Sequence, residues 1–277
     1  MLSVNTNMNS QIAINSLAQN QRDMSTAMER LSTGKRINSS SDDAAGLKIA
    51  SRMTTQIQGL DMALTNATHA ISMVETTEGG IREVSNMLHR MRELAVNAQN
   101  GTNHSEDIDA MQTEFAQLQS EIERIADNTQ YNGINVLNSS DAVTFAIGAY
   151  GETLSVNMYD FQTDDASAAY GVAIDTSSIA VTSGSAADAL TAIDTAIAGT
   201  DTARASLGAA LNRLNYAVDS LSNTKVNAEA SRSRVLDTDY AKETSELART
   251  QIIQQAATAM LAQANMTPQN ILALLKG

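Results

Sequence analysis

The chain has 277 residues, of which 43% are apolar and 3% aromatic, and it contains no tryptophan. That length can hold one large domain or two ordinary ones, and the apolar content argues against wholesale disorder. The net charge of −13 disfavours nucleic-acid binding through a general basic surface. The absence of cysteine excludes disulfides, thiol catalysis and cysteine-ligated metal.

Long helices are the main prediction for the first half of the chain. Residues 1–34 carry a weak apolar seam, and Ser41-Asp42-Asp43 then supplies helix-capping chemistry. A stronger seam follows, with apolar residues alternately four and three positions apart, which is typical of helices that pack along one another. It comprises Met53, Ile57, Leu60, Leu64, Ala67, Ile71 and Val74. Gly79-Gly80 is predicted to be a kink or loosened turn, and the whole helix is predicted over about 43–99, ~80 Å long.

A short β insert is predicted in the middle of the chain. A second helix begins at Ser105, and Asn132-Gly133 marks a turn after it. Apolar residues then alternate over 143–147 and 154–158, which predicts a β-hairpin. Periodicity fades over 160–184, where we predict loops and one more strand pair within 172–181.

Helices return in the last third of the chain. A capping pattern at Ser185 opens a long helix, a joint is expected at 237–239, and a last helix follows. We therefore predict a mainly α fold: a long antiparallel coiled-coil or helical-bundle rod with a small β-hairpin insert. The two terminal helices lie side by side, and the insert lies at the end where the chain turns round.

Chemical motifs of enzymes are missing from the sequence. None of the common nucleotide-binding, hydrolase or zinc-protease patterns occurs, and His69 is expected to be an ordinary helix position. We therefore predict no enzyme activity, no metal and no cofactor. The seams alone fit a soluble four-helix bundle equally well. The terminal segments favour association between molecules, because they combine apolar stripes with many amides and few charges. Identical copies of the chain are the obvious partners for such faces.

Targeting signals are also missing. The N-terminus has neither a basic n-region nor an apolar h-region, so no cleaved signal peptide is predicted. The uncharged stretch 251–275 contains seven amide side chains and is rejected as a membrane-spanning helix. These signals alone would indicate a cytoplasmic protein.

Several motifs resemble one protein family. Residues 31–38, Leu-Ser-Thr-Gly-Lys-Arg-Ile-Asn, run into Asp-Asp-Ala-Ala-Gly-Leu at 42–47, and together they closely resemble the N-terminal signature of bacterial flagellins. Residues 261–265 and 268–275 resemble the C-terminal signature of the same family, and 91–95 and 129–133 also match. The resemblance spans about 1–137 and 189–277. The intervening segment is short, as in a minimal flagellin.

The resemblance implies a structural subunit of the bacterial flagellar filament. Such a subunit is exported unfolded through the flagellar type III apparatus, and its terminal segments stay disordered until neighbouring copies cover them. The implied location is extracellular, and the implied partners are further copies of the chain, an export chaperone, and cap and hook-associated proteins. Residues 1–42 and 236–277 would form the polymerisation core, 43–137 and 186–235 a long-helix bundle, and 138–185 a variable outer segment.

Individual residues follow from the same resemblance and from the terminal seams. Polymerisation is assigned to Leu17, Met24, Met28, Leu31, Ile253, Met260, Leu261, Leu272 and Leu275. Contact with a flagellin-sensing Toll-like receptor of a host is assigned to Arg90, Leu94 and Glu114. O-glycosylation is assigned to Ser177, Ser178 and Thr182. Two alternatives stay open at this point: a hook–filament junction protein with similar ends, and a soluble helical binding module.

Overall fold

A computed structural model describes residues 7–139, 141–161 and 186–276, with side chains up to residue 266. The chain forms two compact units. Unit 1 comprises residues 1–55 and 227–277, and unit 2 comprises residues 56–226. The strand pair predicted within 172–181 and the cap predicted at Ser185 lie outside the described residues.

Unit 1 contains the two terminal helices, α1 (Met8–Thr33) and α5 (Tyr240–Lys276). It also contains the first turns of α2 (Ala44–Ala98) and the last turns of α4 (Ala186–Leu236). Asn7 caps the start of helix α1, because its Oδ1 accepts a hydrogen bond from the Ser10 N–H at 3.1 Å. Helices α1 and α5 pack against each other, so the predicted pairing of the terminal helices is confirmed.

The start of α2 is fixed by two neighbouring aspartates. Asp43 Oδ1 accepts hydrogen bonds from the N–H groups of Ala45 and Gly46, at 3.0 and 2.9 Å, which caps the first turn. Asp42 Oδ2 accepts from the N–H groups of Ser39 and Asn38, and these bonds hold the pKa of Asp42 below its ordinary value. The capping function predicted for this segment is therefore confirmed.

Helix α2 is unbroken through Gly79 and Gly80, so the predicted loosened turn is not found there. Gly80 instead allows close packing. A Cβ on Gly80 would lie 2.6 Å from Leu137 Cδ1 and 3.3 Å from Thr129, whereas a Cβ on Gly79 would meet nothing within 4 Å. The second glycine of the pair therefore marks a close contact of α2 with Leu137 and Thr129.

The β structure of unit 2 consists of two small hairpins that follow α3 (Ser105–Asn128). Strands β1 (Gln130–Tyr131) and β2 (Ile134–Asn135) flank the predicted turn, in which Asn132 and Gly133 both have positive φ, as a tight hairpin turn requires. Strands β3 (Ala142–Ala146) and β4 (Thr153–Asn157) form the second hairpin. Its register sets Val143 opposite Val156 and Phe145 opposite Leu154, as the alternation predicts.

The core of unit 2 is shared by α2, α3, α4 and the hairpins. Its largest fully buried side chains are Met73, Ile81, Leu88, Met91, Phe115, Ile122, Leu137, Met158, Phe161, Ile193 and Leu207. Helices α2 and α4 run antiparallel, because Asp61 pairs with Lys225 while Glu78 pairs with Arg204. The predicted fold class is confirmed: a mainly α helical bundle with a small β-hairpin insert.

The position of the second hairpin corrects one expectation. Asn66 Nδ2 on α2 donates to the Ala146 carbonyl at 2.9 Å, and a Cβ on Gly59 would lie 2.8 Å from the Ala149 carbonyl oxygen. The hairpin thus lies alongside the first half of α2, and not beyond the end where the chain turns round. The contact depends on a glycine and an alanine, whose small side chains let two backbones approach closely.

Candidate self-assembly surface

Polar contacts hold α1 and α5 in one antiparallel register. Near the free ends of the helices, Asn7 Nδ2 donates to the Ala264 carbonyl at 2.8 Å. Further along, the buried Asn20 donates through Nδ2 to the Thr250 carbonyl, also at 2.8 Å. Because these bonds are directional and one of them is buried, they specify how the two apolar faces align.

A backbone joint closes the other end of this helix pair. The Arg36 N–H donates to the Leu236 carbonyl at 2.7 Å, and the Thr238 N–H donates to the Gly34 carbonyl at 3.0 Å. Gly34 has a φ of 69°, and a Cβ there would lie 2.9 Å from Tyr240 Oη. The left-handed backbone favours glycine at this position, and the absence of a side chain leaves room for the Tyr240 hydroxyl.

One ion pair joins the helices inside the pair. Glu243 is only 7% exposed, and its Oε1 accepts from the Arg30 guanidinium at 3.4 Å. A carboxylate this well covered needs a cationic partner to offset its desolvation. Loss of either Arg30 or Glu243 is therefore expected to weaken the packing of α1 against α5.

The residues predicted for polymerisation fall into two groups. Four are half-buried within unit 1: Leu17, Met24, Leu31 and Leu261. Three are exposed: Met28, Ile253 and Met260. The side chains of Leu272 and Leu275 lie outside those that the structure describes. The first group already has cover within the chain, whereas the second group leaves apolar surface free for contact with another molecule.

Further exposed apolar residues extend this second group. They are Met8, Ile12, Ile14, Ile252 and Met266. Ile14 belongs to the weak apolar seam of residues 1–34, whereas the seams missed the other four because these lie off the line of residues spaced four and three apart. Their signal was the lack of charge around them: no Asp, Glu, Lys or Arg occurs in 8–21 or in 250–266. We call the exposed apolar residues of these two stretches, together with Met28, the outer face of the terminal helices.

The outer face includes a groove between α1 and α5. The groove has a volume of about 420 Å³ and is lined by Asn9, Ile12, Ala13, Met260, Gln263 and Ala264. Apolar patches that are contiguous and free of charge mark sites of protein association on soluble proteins. The groove has the composition of a contact surface and lacks titratable groups that could perform chemistry.

A second cluster of predicted residues lies on unit 2. Arg90 Nε donates to Glu114 Oε1 at 2.9 Å, and Arg90 also pairs with Glu93 at 2.9 Å. The hydrogen bond that Arg90 donates to Glu114 raises the pKa of Arg90 above its ordinary value. The structure therefore brings Arg90 and Glu114 together on the surface, whereas Leu94 is 5% exposed and belongs to the core.

A shallow cavity of about 800 Å³ adjoins this cluster. It is lined by His89, Arg92, Glu93, Val96, Asn97 and Asn100. Arg92 Nε donates to Asp194 Oδ1 at 2.6 Å, which lowers the pKa of Asp194. The three residues predicted for glycosylation, Ser177, Ser178 and Thr182, lie outside the described part of the chain.

Neither a metal site nor a membrane-spanning helix occurs within the described residues. In that part of the chain, no group of three or more His, Asp or Glu side chains is placed to hold a metal ion. Within the same ranges, none of the helices combines the length and the apolar character that crossing a bilayer requires.

Two family comparisons together match most of the chain. The bacterial flagellin N-terminal helical region matches residues 4–142, and the bacterial flagellin C-terminal helical region matches residues 190–275. The chain belongs to the bacterial flagellin family.

Individual relatives agree with the family match. A flagellin of Halalkalibacterium halodurans is 44% identical over 252 residues, covering 90% of this chain and 91% of that protein. A flagellin of Xenorhabdus nematophila is 40% identical over 309 aligned positions, covering 99% of each chain.

One solved structure extends the comparison of folds. A proposed flagellar hook-associated protein of Vibrio parahaemolyticus superposes with a TM-score of 0.62 at 17% identity, covering 71% of this chain and all of that chain. At that identity the similarity concerns the fold alone.

Membership of the family identifies the general function. This flagellin is a structural subunit of the bacterial flagellar filament and not an enzyme, and it serves motility by self-polymerisation. Its location is the flagellar filament.

Proposed function

We propose that this flagellin polymerises through the outer face of the terminal helices, where exposed apolar side chains of one copy pack against the next copy. The observation that carries the proposal is the complete absence of charge from 8–21 and 250–266, where large apolar side chains are exposed. Met28, Ile253 and Met260 are the predicted residues that make this contact. Leu17, Met24, Leu31 and Leu261 act within each helix pair, and Leu272 and Leu275 are the other residues predicted for polymerisation.

The energetics favour a partner for this face. A large apolar side chain contributes about 1.5–3 kcal/mol when it is moved from water into a contact. Several such residues per copy are enough to stabilise an ordered polymer against the entropy of assembly. A face that meets a different face of the next copy builds an open helical filament when the rotation does not close. Small register shifts between strands of subunits then set the curvature of the filament.

Export and handling of the subunit follow from the same face. The chain is exported unfolded and without a cleaved signal peptide, and it acts outside the cell. Before assembly the exposed apolar residues need cover, which a dedicated export chaperone provides, and cap and hook-associated proteins bind the same ends during assembly. The lack of cysteine supports this route, because no disulfide can form before or during export.

Arg90 and Glu114 are the proposed contacts with a flagellin-sensing Toll-like receptor. Both side chains are about half exposed and present a charged pair on unit 2, which is a feature that a partner can recognise. Leu94, the third residue predicted for this contact, lies four positions after Arg90 on α2 and is 5% exposed. Ser177, Ser178 and Thr182 remain the proposed sites of O-glycosylation.

A hook–filament junction protein is the alternative that the sequence left open, and the proposed hook-associated protein of Vibrio parahaemolyticus shares the fold of this chain. A filament subunit adds to the end of a growing polymer of its own kind, whereas a junction protein forms a limited layer. Seeding the purified flagellin with short fragments of its own filaments separates the two. Continued elongation supports the filament subunit, and arrest after a short addition supports the junction protein.

A matched pair of substitutions tests the assembly surface. Met260 on α5 and Met62 on α2 are similarly exposed, at 67% and 60%, but only Met260 belongs to the outer face. Met260→Asp places a charge in the contact and removes an apolar side chain from it. We expect its critical concentration for polymerisation to rise at least ~10-fold, since each 1.4 kcal/mol corresponds to a factor of ten.

Met62→Asp is the control, and we expect its critical concentration to stay within about twofold of the unsubstituted value. Sedimentation of filaments at increasing protein concentration measures both variants, and circular dichroism checks that each keeps its helix content. Equal assembly of the Met260→Asp variant and the unsubstituted protein would refute the proposed surface.

A further inference from the structure

Exposed methionines of this flagellin lie mostly on the terminal helices, whereas fully buried methionines lie in unit 2. Four methionines of the outer face are exposed: Met8, Met28, Met260 and Met266. Met260 also lines the groove between α1 and α5. In unit 2, Met73, Met91 and Met158 are at most 1% exposed. The thioethers that an aqueous reagent can reach are therefore concentrated where the subunits are proposed to meet.

We propose that these four methionines form an oxidation-sensitive site that controls assembly: conversion to methionine sulfoxide blocks polymerisation of the free subunit, and assembly protects the thioethers from oxidation. The inference rests on the proposed function, because it requires the outer face to be the subunit contact. The oxidant is hydrogen peroxide or another peroxide, acting on the subunit before it is covered by its neighbours.

The chemistry is a two-electron oxygen transfer. A lone pair of the thioether sulfur attacks one peroxide oxygen, the O–O bond breaks and an S–O bond forms. The departing hydroxide takes the proton from the new S–O–H group, which leaves the sulfoxide and one molecule of water. Sulfur is oxidised and peroxide is reduced, so no further co-reactant is needed. Sulfoxide reductases reverse the change, which makes it a switch and not only damage.

The change is large in physical terms because it replaces a flexible apolar group by a polar one. A sulfoxide oxygen buried in an apolar contact needs a hydrogen-bond donor. The residues of the groove that could donate are Asn9 and Gln263. Losing the apolar contribution of even one such side chain corresponds to a rise in critical concentration of about tenfold or more.

The position of the exposed methionines supplies an internal control. Met62 is 60% exposed but lies on unit 2, outside the outer face. Peroxide oxidises Met62 as readily as Met260, yet only oxidation of the outer face is expected to affect assembly. Replacing methionine by leucine keeps the apolar volume nearly unchanged and removes the sulfur.

The test uses full-length protein, peroxide and three forms of the chain. They are the unsubstituted protein, a Met62→Leu variant, and a variant that combines Met8→Leu, Met28→Leu, Met260→Leu and Met266→Leu. Each is polymerised with and without prior peroxide treatment of the monomer. We expect treated unsubstituted protein and treated Met62→Leu to show a critical concentration raised at least about tenfold, while the fourfold leucine variant is unaffected by peroxide.

Peptide mapping by mass spectrometry supplies a second readout that does not depend on the variants. In unsubstituted protein, Met260 is expected to oxidise much more slowly in filaments than in monomers, and Met73 slowly in both. Unchanged assembly of oxidised monomers, or equal oxidation of Met260 in both states, would overturn the inference. Failure of untreated, unsubstituted protein to polymerise would instead overturn the proposed function on which it rests.

Discussion

The ion pair between Arg30 and Glu243 offers a quantitative test of how the terminal helices contribute to assembly. Glu243 is almost fully covered, and Arg30 is the partner that the structure gives its carboxylate. Replacing Arg30 by Met leaves a buried carboxylate without a cation, whereas replacing both residues by Met removes both charges. Methionine keeps helix propensity and apolar volume in each case.

The magnitude follows from the burial of the pair. Hydrogen bonds to charged groups contribute about 1.5–3 kcal/mol, and an orphaned buried charge adds to the loss. We use the lower end of that range, because the Arg30 side chain is 30% exposed and the contact is 3.4 Å long. Arg30→Met should therefore raise the critical concentration about 10-fold, and the double variant should recover most of that loss.

The assay is a double-mutant cycle on the critical concentration for polymerisation. Arg30→Met, Glu243→Met and the double variant are compared with the unsubstituted protein. Arg249→Met is the control, because Arg249 pairs with Glu246 on the surface of the same helix and such exposed pairs contribute little. Strictly additive effects of the two single substitutions, or an effect of Arg249→Met as large as that of Arg30→Met, would refute the reasoning.

Two further predictions concern unit 2. Gly79→Ala should stabilise unit 2 by about 0.5–1 kcal/mol, since the added Cβ meets open space. Gly80→Ala should destabilise unit 2 by about 1–2 kcal/mol, because its Cβ would contact the buried Leu137. Urea unfolding of both variants measures the difference, and a loss of stability in Gly79→Ala would contradict the prediction. The Arg92 side chain lowers the pKa of Asp194, so their contact stabilises unit 2 above the unfolded-state pKa of about 3.9 and loses this effect as pH falls through the lower folded-state pKa. The stability that is lost between pH 7 and pH 2, measured by the unfolding midpoint, should therefore be smaller for Arg92→Met than for the unsubstituted protein. An equal loss of stability in both would exclude the contribution of this pair.

Much of the fold could be predicted because the long helices have strong periodic signals. The seam that predicted a helix over about 43–99 corresponds to α2 at Ala44–Ala98, and the alternation over 143–147 and 154–158 corresponds to β3 and β4. Strands β1 and β2 were not predicted, because two residues per strand are too few to show alternation. Their turn at Asn132-Gly133 was visible, because it depends on local backbone preference alone.

The parts that could not be predicted depend on contacts between distant residues. The hairpin packs beside α2 through Gly59 and Ala149. This contact could not be predicted, because small residues do not contribute to a hydrophobic pattern. The terminal seams likewise could not distinguish Leu261, which is half-buried, from Met260, which is exposed, because apolar residues occupy much of the circumference of both helices. Only the paired structure separates contacts within the chain from those that remain free.

Electron cryomicroscopy of filaments grown from the purified flagellin is the most direct test of the assembly surface. The exposed side chains of Met8, Ile12, Ile252 and Met260 should each lie within about 4.5 Å of apolar atoms of a neighbouring copy, which is the distance of side-chain contact. Filaments in which these four side chains face solvent or a water-filled channel, with subunits joined only through unit 2, would contradict the central role of the terminal helices.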